Sequence, residues 1–367
     1  MPASPNIARR TVIGTAICLT AAPGAALARK TNKLIAGTYA GRRGPGLVPL
    51  VSGPKDWTAS APLAAIKNVS FGVQASASGV RYLLDEQQKG ALGIYGRDMR
   101  QLGVFSTLGA DPCHAALSPD ARTLAVANYS SGSVALWRLD PKTGLPTGEA
   151  QRIEHRGSGP NAKRQAAPHA HWVGFAANGR VLYAVDLGAD AIFAHAIDPR
   201  TGSVGATSIA YRAQAGSGPR HLADHPRLPV AYLVAELTNT VTILTAHRDG
   251  TFTAQGSLST LPAGFDGSSY VAHIAINRAG TRLYVSNRGH DSIAVFAIGR
   301  TGALQLIQHV ACGGHWPRLF LLLEDRGEML VANERSGNVA ILRLGTDGRL
   351  GSAKRGPSVP GVAFLSR

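Results

Sequence analysis

Five pairs of polar residues recur along this chain at spacings of 14 to 16: His114 with Asn128, His171 with Asp186, Arg220 with Glu236, His273 with Asn287 and Arg318 with Asn333. Each pair brackets the same pattern. A His or Arg leads into a short apolar run, a turn rich in Gly, Asp or Pro follows, and a second apolar run ends at the acid or amide. An imidazole beside a carboxylate suits general acid–base chemistry. A guanidinium is a planar, multi-donor cation that binds a carboxylate, a phosphate or a developing oxyanion. The sharpest copy is PHAHWVGFAANGRVLYAVDLG, residues 168–188, where Asn178-Gly179 between two strand-like runs signals a hairpin. A hairpin returns to the edge at which it began. His171 and Asp186 are therefore expected to be neighbours, the carboxylate orienting the imidazole or raising its pKa. By the same argument Arg220 and Glu236 should pair.

The elements that must position these residues follow from the repeat. A degenerate sixth copy, VSFGVQASASGVRYLLDE, ends at Asp85-Glu86. Aligned on the closing residue (Asp85, Asn128, Asp186, Glu236, Asn287, Asn333), the units are 43, 58, 50, 51 and 46 residues apart, and Gly37 of IAGTY fits 48 residues earlier. A third apolar run follows each hairpin, as in Ser133 to Trp137 or Ser292 to Phe296, and then a glycine turn and a last strand. Four strands per unit at such a period is the signature of a β-propeller, so the chain reads as an all-β, seven-bladed propeller of four-stranded blades. The first unit lacks an opening strand. Residues 360–365, PGVAFL, have no partner of their own and should supply it, closing the ring and removing two sheet edges. A polar residue shared by every second strand points to a common structural hydrogen bond for Asn128, Asp186 and Asn333. The stretch from Gly53 to Pro62 reads as a polar surface loop.

Composition agrees. The 367 residues are 44% hydrophobic and 16% charged, with 43 Gly and 21 Pro against 6% aromatics, which favours short strands and turns in a folded protein. Arg9-Arg10, an uncharged run from Thr11 to Leu27 and Ala26-Leu27-Ala28 read as an export signal over residues 1–28, whose arginine pair resembles a twin-arginine signal; the propeller is then expected over 29–367 and the protein is expected to be periplasmic or secreted. The net charge of +16 favours anions. No nucleic-acid-binding motif is present, and no stable membrane insertion is expected after cleavage. Cys113 and Cys312 read as small buried residues. There is no CxxC, HExxH, GxSxG or phosphate loop, so neither metal nor cofactor is expected.

The runs PCHAALSPDARTLAVANYSSGSVALW, PHAHWVGFAANGRVLYAVDLGAD, GPRHLADHP with VAEL, and LYVSNRGHDSIAVF resemble the lactonase family of seven-bladed propellers, over about residues 33 to 365. That family includes bacterial 6-phosphogluconolactonases and fungal carboxy-muconate cycloisomerases. The resemblance implies a small-molecule lactone or carboxylate substrate and carries four catalytic positions onto this chain: His171 of PHAH, Arg220 of GPRH, Glu236 of AEL and Arg288 of SNR. His169, His114, His273 and Arg318 are the further candidates for substrate binding. His273 stands where the family usually has an acid, and Asp85-Glu86 replaces Asn-Glu. For His114, His169 and His273, a hydrogen bond to a neighbouring unit is the stronger competing reading. Arg318 is divided evenly between lining the channel and tying blades together.

Opening a lactone requires a base for the attacking water and a cation or donor for the oxyanion. His171 or Glu236 can be the base; an ion pair with Arg220 would weaken Glu236 in that role, which favours His171. The leading expectation is an exported hydrolase of sugar lactones. A cycloisomerase acting on muconate-type diacids and a non-catalytic binding platform are the alternatives.

Overall fold

The structure is a computed structural model and describes residues 33–53, 56–63 and 66–367. The export signal expected at residues 1–28 lies outside them. The described chain forms seven four-stranded antiparallel sheets. Blades 2 to 7 run in order from inner to outer strand, with inner strands Val69–Gln74, Pro112–Leu117, Ala170–Phe175, Pro219–Asp224, Tyr270–Ile276 and Pro317–Leu323. Blade 1 is completed from the far end of the chain: Val362–Ser366 pairs with Lys33–Thr38, setting Leu365 opposite Ala36 and Phe364 opposite Gly37. The expected closure is therefore present. Among the described residues no helix is long and apolar enough to cross a membrane.

The packing explains the strand compositions. Second and third strands lie between neighbouring blades, so they read as continuous apolar runs rather than alternating ones. Thr123–Asn128 and Val230–Ala235 are buried at every position. Outermost strands such as Val204–Arg212 are largely exposed. The core is thus a set of layers between blades: Tyr82, Val126 and Trp137 join blades 2 and 3, and Val185, Ile192 and Leu233 join blades 4 and 5. A tyrosine on the second strand of four blades reaches the outer turn of the next. Tyr82, Tyr183, Tyr232 and Tyr284 donate to the carbonyls of Gly144, Gly250, Gly302 and Gly348 at 2.7, 3.1, 2.8 and 2.7 Å. Those glycines all have positive φ, the conformation these turns require and side-chain-bearing residues avoid.

All seven inner strands break register near their start. The breaks fall between Val69 and Gly72, Pro112 and His114, Ala170 and Trp172, Pro219 and His221, Val271 and Ile274, and Pro317 and Leu319. In blade 1 the break leaves Ala363 unpaired between Val362 and Phe364. A bulge inserts a residue and re-aims the side chains around it. Cys113, His171, Arg220 and Arg318 are the inserted residues of their strands, so four blades deliver their polar groups by one device.

Two expectations need correction. Trp57–Ala59 is the outermost strand of blade 1, not a surface loop. Trp57 is buried, donates to Glu328 Oε2 at 3.1 Å and stacks under Arg326. The repeat alignment was also one residue out in blade 5. Ala235, not Glu236, occupies the position of Asn128, Asn287 and Asn333, because Pro219 pairs with Ala235 as Pro112 pairs with Asn128 and Pro317 with Asn333. The amides at that position are structural. Asn128, Asn287 and Asn333 donate to the carbonyls of Thr107, Thr260 and Cys312, each on the chain entering the blade. Glu236 belongs one residue later, with Glu86, Tyr129, Arg288 and Glu334.

Candidate active site

Bulged inner-strand residues and the residues that follow the second strands converge at one axial end of the ring. Glu236 is the centre. Its Oε2 lies 2.9 Å from Arg220 Nε, 2.8 Å from Arg288 Nη2 and 3.9 Å from His171 Nε2, and its Oε1 lies 2.6 Å from Arg164 Nη2. All four residues carried over from the family resemblance are thus brought together, from blades 4, 5 and 6. Arg220, Glu236, His171 and Arg288 are all buried. Arg164 covers them from the loop between blades 3 and 4 and is partly exposed; its Nη2 also donates to Tyr129 Oη at 3.2 Å.

The scaffold fixes these groups. Asp190, in the turn after the second strand of blade 4, accepts from Gly216 N and Gly218 N at 2.7 and 2.8 Å and so shapes the loop that delivers Arg220. Arg220 Nη1 donates to Ala272 O and to His221 Nε2, the latter at 3.1 Å. Arg288 donates from Nε to Tyr270 O and from Nη2 to Val271 O. Among the described residues Arg220 Nη2 and Arg288 Nη1 carry no hydrogen bond. Each guanidinium is anchored by one end and offers the other.

The electrostatics follow from this cage. Burial works to raise the Glu236 pKa, but the guanidiniums of Arg288, Arg220 and Arg164 outweigh it and hold the carboxyl far below its ordinary range. Burial, and after it the charge of Arg220, push the His171 pKa well down, so the imidazole is neutral at neutral pH. Burial and the charge of Arg288 lower Arg220 to about 9 against the pull of Glu236, and it remains a cation at neutral pH.

Asp186 is not the partner of His171. The bulge places Asp186 opposite Ala170, and its carboxylate accepts from His169 N at 2.7 Å and Ala189 N at 2.9 Å and lies 2.7 Å from His155 Nδ1. His171 instead has Cys113 Sγ at 3.7 Å from Nδ1 and Glu236 beyond Nε2. Its pKa is accordingly lowered, not raised. His169 stacks on Tyr129 at 4.5 Å, with Nδ1 3.0 Å from Tyr129 O.

His114 and His273 belong to a deeper layer. Each of the seven inner strands contributes one ring: Phe364, Phe71, His114, Trp172, His221, His273 and Phe320. Contacts between Phe71 and Phe364, Phe71 and His114, His114 and Trp172, His114 and His221, His221 and His273, and His273 and Phe320 span 4.1 to 5.8 Å between centroids. This belt floors the site. His114 Nδ1 accepts from Val173 N of the next blade, the competing structural contact foreseen for it. Burial is the first cause that pushes His114 and His221 well down and His273 to about 3.

Arg318 stands on the other side of the mouth, between Glu86 and Glu334 and over the ring of Tyr39. Sequence reasoning missed Arg164, Tyr129, His221, Glu86, Glu334 and Tyr39. Correct alignment of the position after each closing amide would have found Tyr129, Glu86 and Glu334. Arg164 lies in an irregular loop and carries no periodic signal.

Fold and site together define a class: a seven-bladed propeller with a carboxylate caged by cations at one end of its axis. The family model described as "Lactonase, 7-bladed beta-propeller" matches residues 33–366. A 6-phosphogluconolactonase of Bacillus subtilis is 34% identical over 258 residues, covering 69% of this chain and 72% of the Bacillus protein. The periplasmic gluconolactonase of Pseudomonas aeruginosa superposes with a TM-score of 0.85 at 27% identity, over 91% of this chain and 98% of that one. A Lactobacillus plantarum protein gives 0.85 at 26% identity, over 92% and 99%. The chain belongs to the seven-bladed β-propeller lactonase family.

Proposed function

We propose that this chain is an exported lactonase that hydrolyses neutral sugar lactones of the aldonic-acid type. One observation carries the hydrolytic reading: the free ends of Arg220 and Arg288 lie beside a neutral buried imidazole, around a carboxylate too acidic to be a base. Export rests on Arg9-Arg10 and the Ala26-Leu27-Ala28 signal, and is supported by likeness to a periplasmic gluconolactonase.

In the mechanism His171 takes a proton from water as the water oxygen bonds to the lactone carbonyl carbon. The carbonyl π electrons move to oxygen, and the resulting oxyanion is stabilised by the guanidinium N–H groups of Arg220 and Arg288. Glu236 holds both guanidiniums and stabilises the imidazolium that forms 3.9 Å away. Collapse of the intermediate breaks the ring C–O bond, and the imidazolium returns its proton to the leaving alkoxide. The product is the open hydroxy acid.

Purified protein is expected to hydrolyse glucono-1,5-lactone faster than the spontaneous rate. Glu236→Gln and Arg288→Ala should each abolish the gain, read by pH-stat titration. Full activity in both variants would overturn the assignment.

A further inference from the structure

The mouth has a second half that the proposed chemistry does not use. Arg318 is the inserted residue of the blade 7 bulge, and its side chain is 17% exposed. Its Nη2 lies 3.6 Å from Glu86 Oε2 and its Nη1 3.8 Å from Glu334 Oε2. Both distances exceed hydrogen-bond reach. Among the described residues the Arg318 guanidinium makes no hydrogen bond. Glu334 is in the same condition: it is 9% exposed, and its other oxygen lies 3.7 Å from Arg42 Nε. Glu86 accepts one hydrogen bond, from Tyr39 Oη at 2.7 Å. A half-buried cation and two carboxylates thus face one another at the mouth without hydrogen bonding directly, which leaves their polar atoms open to a further group.

A group that bridges Arg318 to these carboxylates must both accept and donate. A phosphate or carboxylate could accept from Arg318 but would face two carboxylates. An apolar group could do neither. Hydroxyl groups do both, because each oxygen accepts from the guanidinium while its proton goes to a carboxylate. This half adjoins the Glu236 cage. The charge of Arg318 is felt at His171 and Arg220, and Cys113 feels Glu86, Arg220 and Arg318 together.

We infer that Glu86, Arg318 and Glu334, with Tyr39 steadying Glu86, form the subsite that recognises the ring hydroxyls of a neutral polyhydroxylated lactone. The inference rests on the hydrolytic reading above. The two halves of the mouth then orient the substrate. Its carbonyl lies toward Arg220 and Arg288, and its polyol toward the carboxylates. The same carboxylates disfavour a diacid or a phosphorylated tail on that side.

The test compares glucono-1,5-lactone with δ-valerolactone, the same six-membered ring without hydroxyls, each rate being divided by its spontaneous hydroxide rate. Wild-type protein should prefer the hydroxylated lactone. Glu86→Gln and Glu334→Gln keep shape while removing charge, and each should lower kcat/KM on gluconolactone on the order of tenfold more than on δ-valerolactone, mainly through KM. Tyr39→Phe, which leaves every charge in place, should show the same selectivity to a smaller degree and serves if the Gln variants do not fold. Equal losses on both lactones, or no loss in any variant, overturn the subsite while leaving the hydrolase reading standing. Wild-type protein inactive on both lactones overturns the two together.

Discussion

Glu236 and His171 show how burial and charge divide work between two candidate bases. The carboxylate sits among three guanidiniums, so its proton affinity falls far below neutrality. The imidazole is kept neutral by burial and by Arg220, which leaves a lone pair available. With His171 as base, the catalysed rate should stay level from pH 8 to below 6.5, because the imidazole protonates only at lower pH. A pH profile of kcat/KM, corrected for spontaneous hydrolysis, reads this, and an acid limb centred near 6.5 would contradict it. The same shifts govern stability. His114, His171, His221 and His273 all have folded pKa values below the 6.5 of an unfolded imidazole. The unfolded chain therefore takes up protons that the native one refuses, and stability falls as pH drops below about 6.5, by up to about 1.4 kcal/mol per pH unit for each imidazole. Glu236 acts in the same direction at lower pH: its stabilising contribution is present above its ordinary value of 4.5 and is lost as pH falls toward its depressed one. The melting temperature should accordingly fall steadily from pH 7 to pH 4. A constant value from pH 7 to 5 would contradict the burial of these rings.

At the scale of the element, the bulge and the closing position of the second strand decide the site. Hairpin periodicity correctly placed the two ends of each hairpin at one edge. It failed for His171 and Asp186 because a bulge separates them, and the side chains of an inserted residue and its neighbours no longer follow the simple alternation. Asp186 turned inward to bind His169 N, Ala189 N and His155. The one-residue error at Glu236 has the same origin in period two: Asn128 and Asn333 bond backbone inside the sheet, and the next residue in each blade faces the mouth. The tyrosine latches are a second recurring element. Tyr232→Phe removes the bond to Gly302 O and leaves that carbonyl unpaired, which should cost about 1 kcal/mol. Denaturant unfolding measures it, and an unchanged midpoint would show the latch to be idle.

For the molecule as a whole, closure of the ring is the governing fact. Residues 362–366 complete blade 1, and Val362, Phe364 and Leu365 pack in the same core layer as Leu34, Leu47 and Val339. Deleting residues 358–367 would expose two long sheet edges and open that layer, and should sharply lower the melting temperature by calorimetry; an unchanged value would refute the closure argument. The fold was legible from the sequence by itself because seven units repeat one physical pattern: strands buried between blades are apolar, turns need glycine, and an unpaired strand at the end of the chain needs an edge. The residues His171, Arg220, Glu236 and Arg288 could be picked out by resemblance to a family, and the hairpins placed them on one face. Which of them touch is set by how the blades pack. Arg164 reaches Glu236 across 72 residues, and Glu86, Glu334 and Arg318 come from blades 2 and 7. Contacts across a closed ring join residues with no common local period, and bulges rotate side chains by steps that a hydrophobic pattern does not record. The cage around Glu236 is a product of packing between blades 4, 5 and 6, and the carboxylates around Arg318, from blades 2 and 7, are brought together by closure.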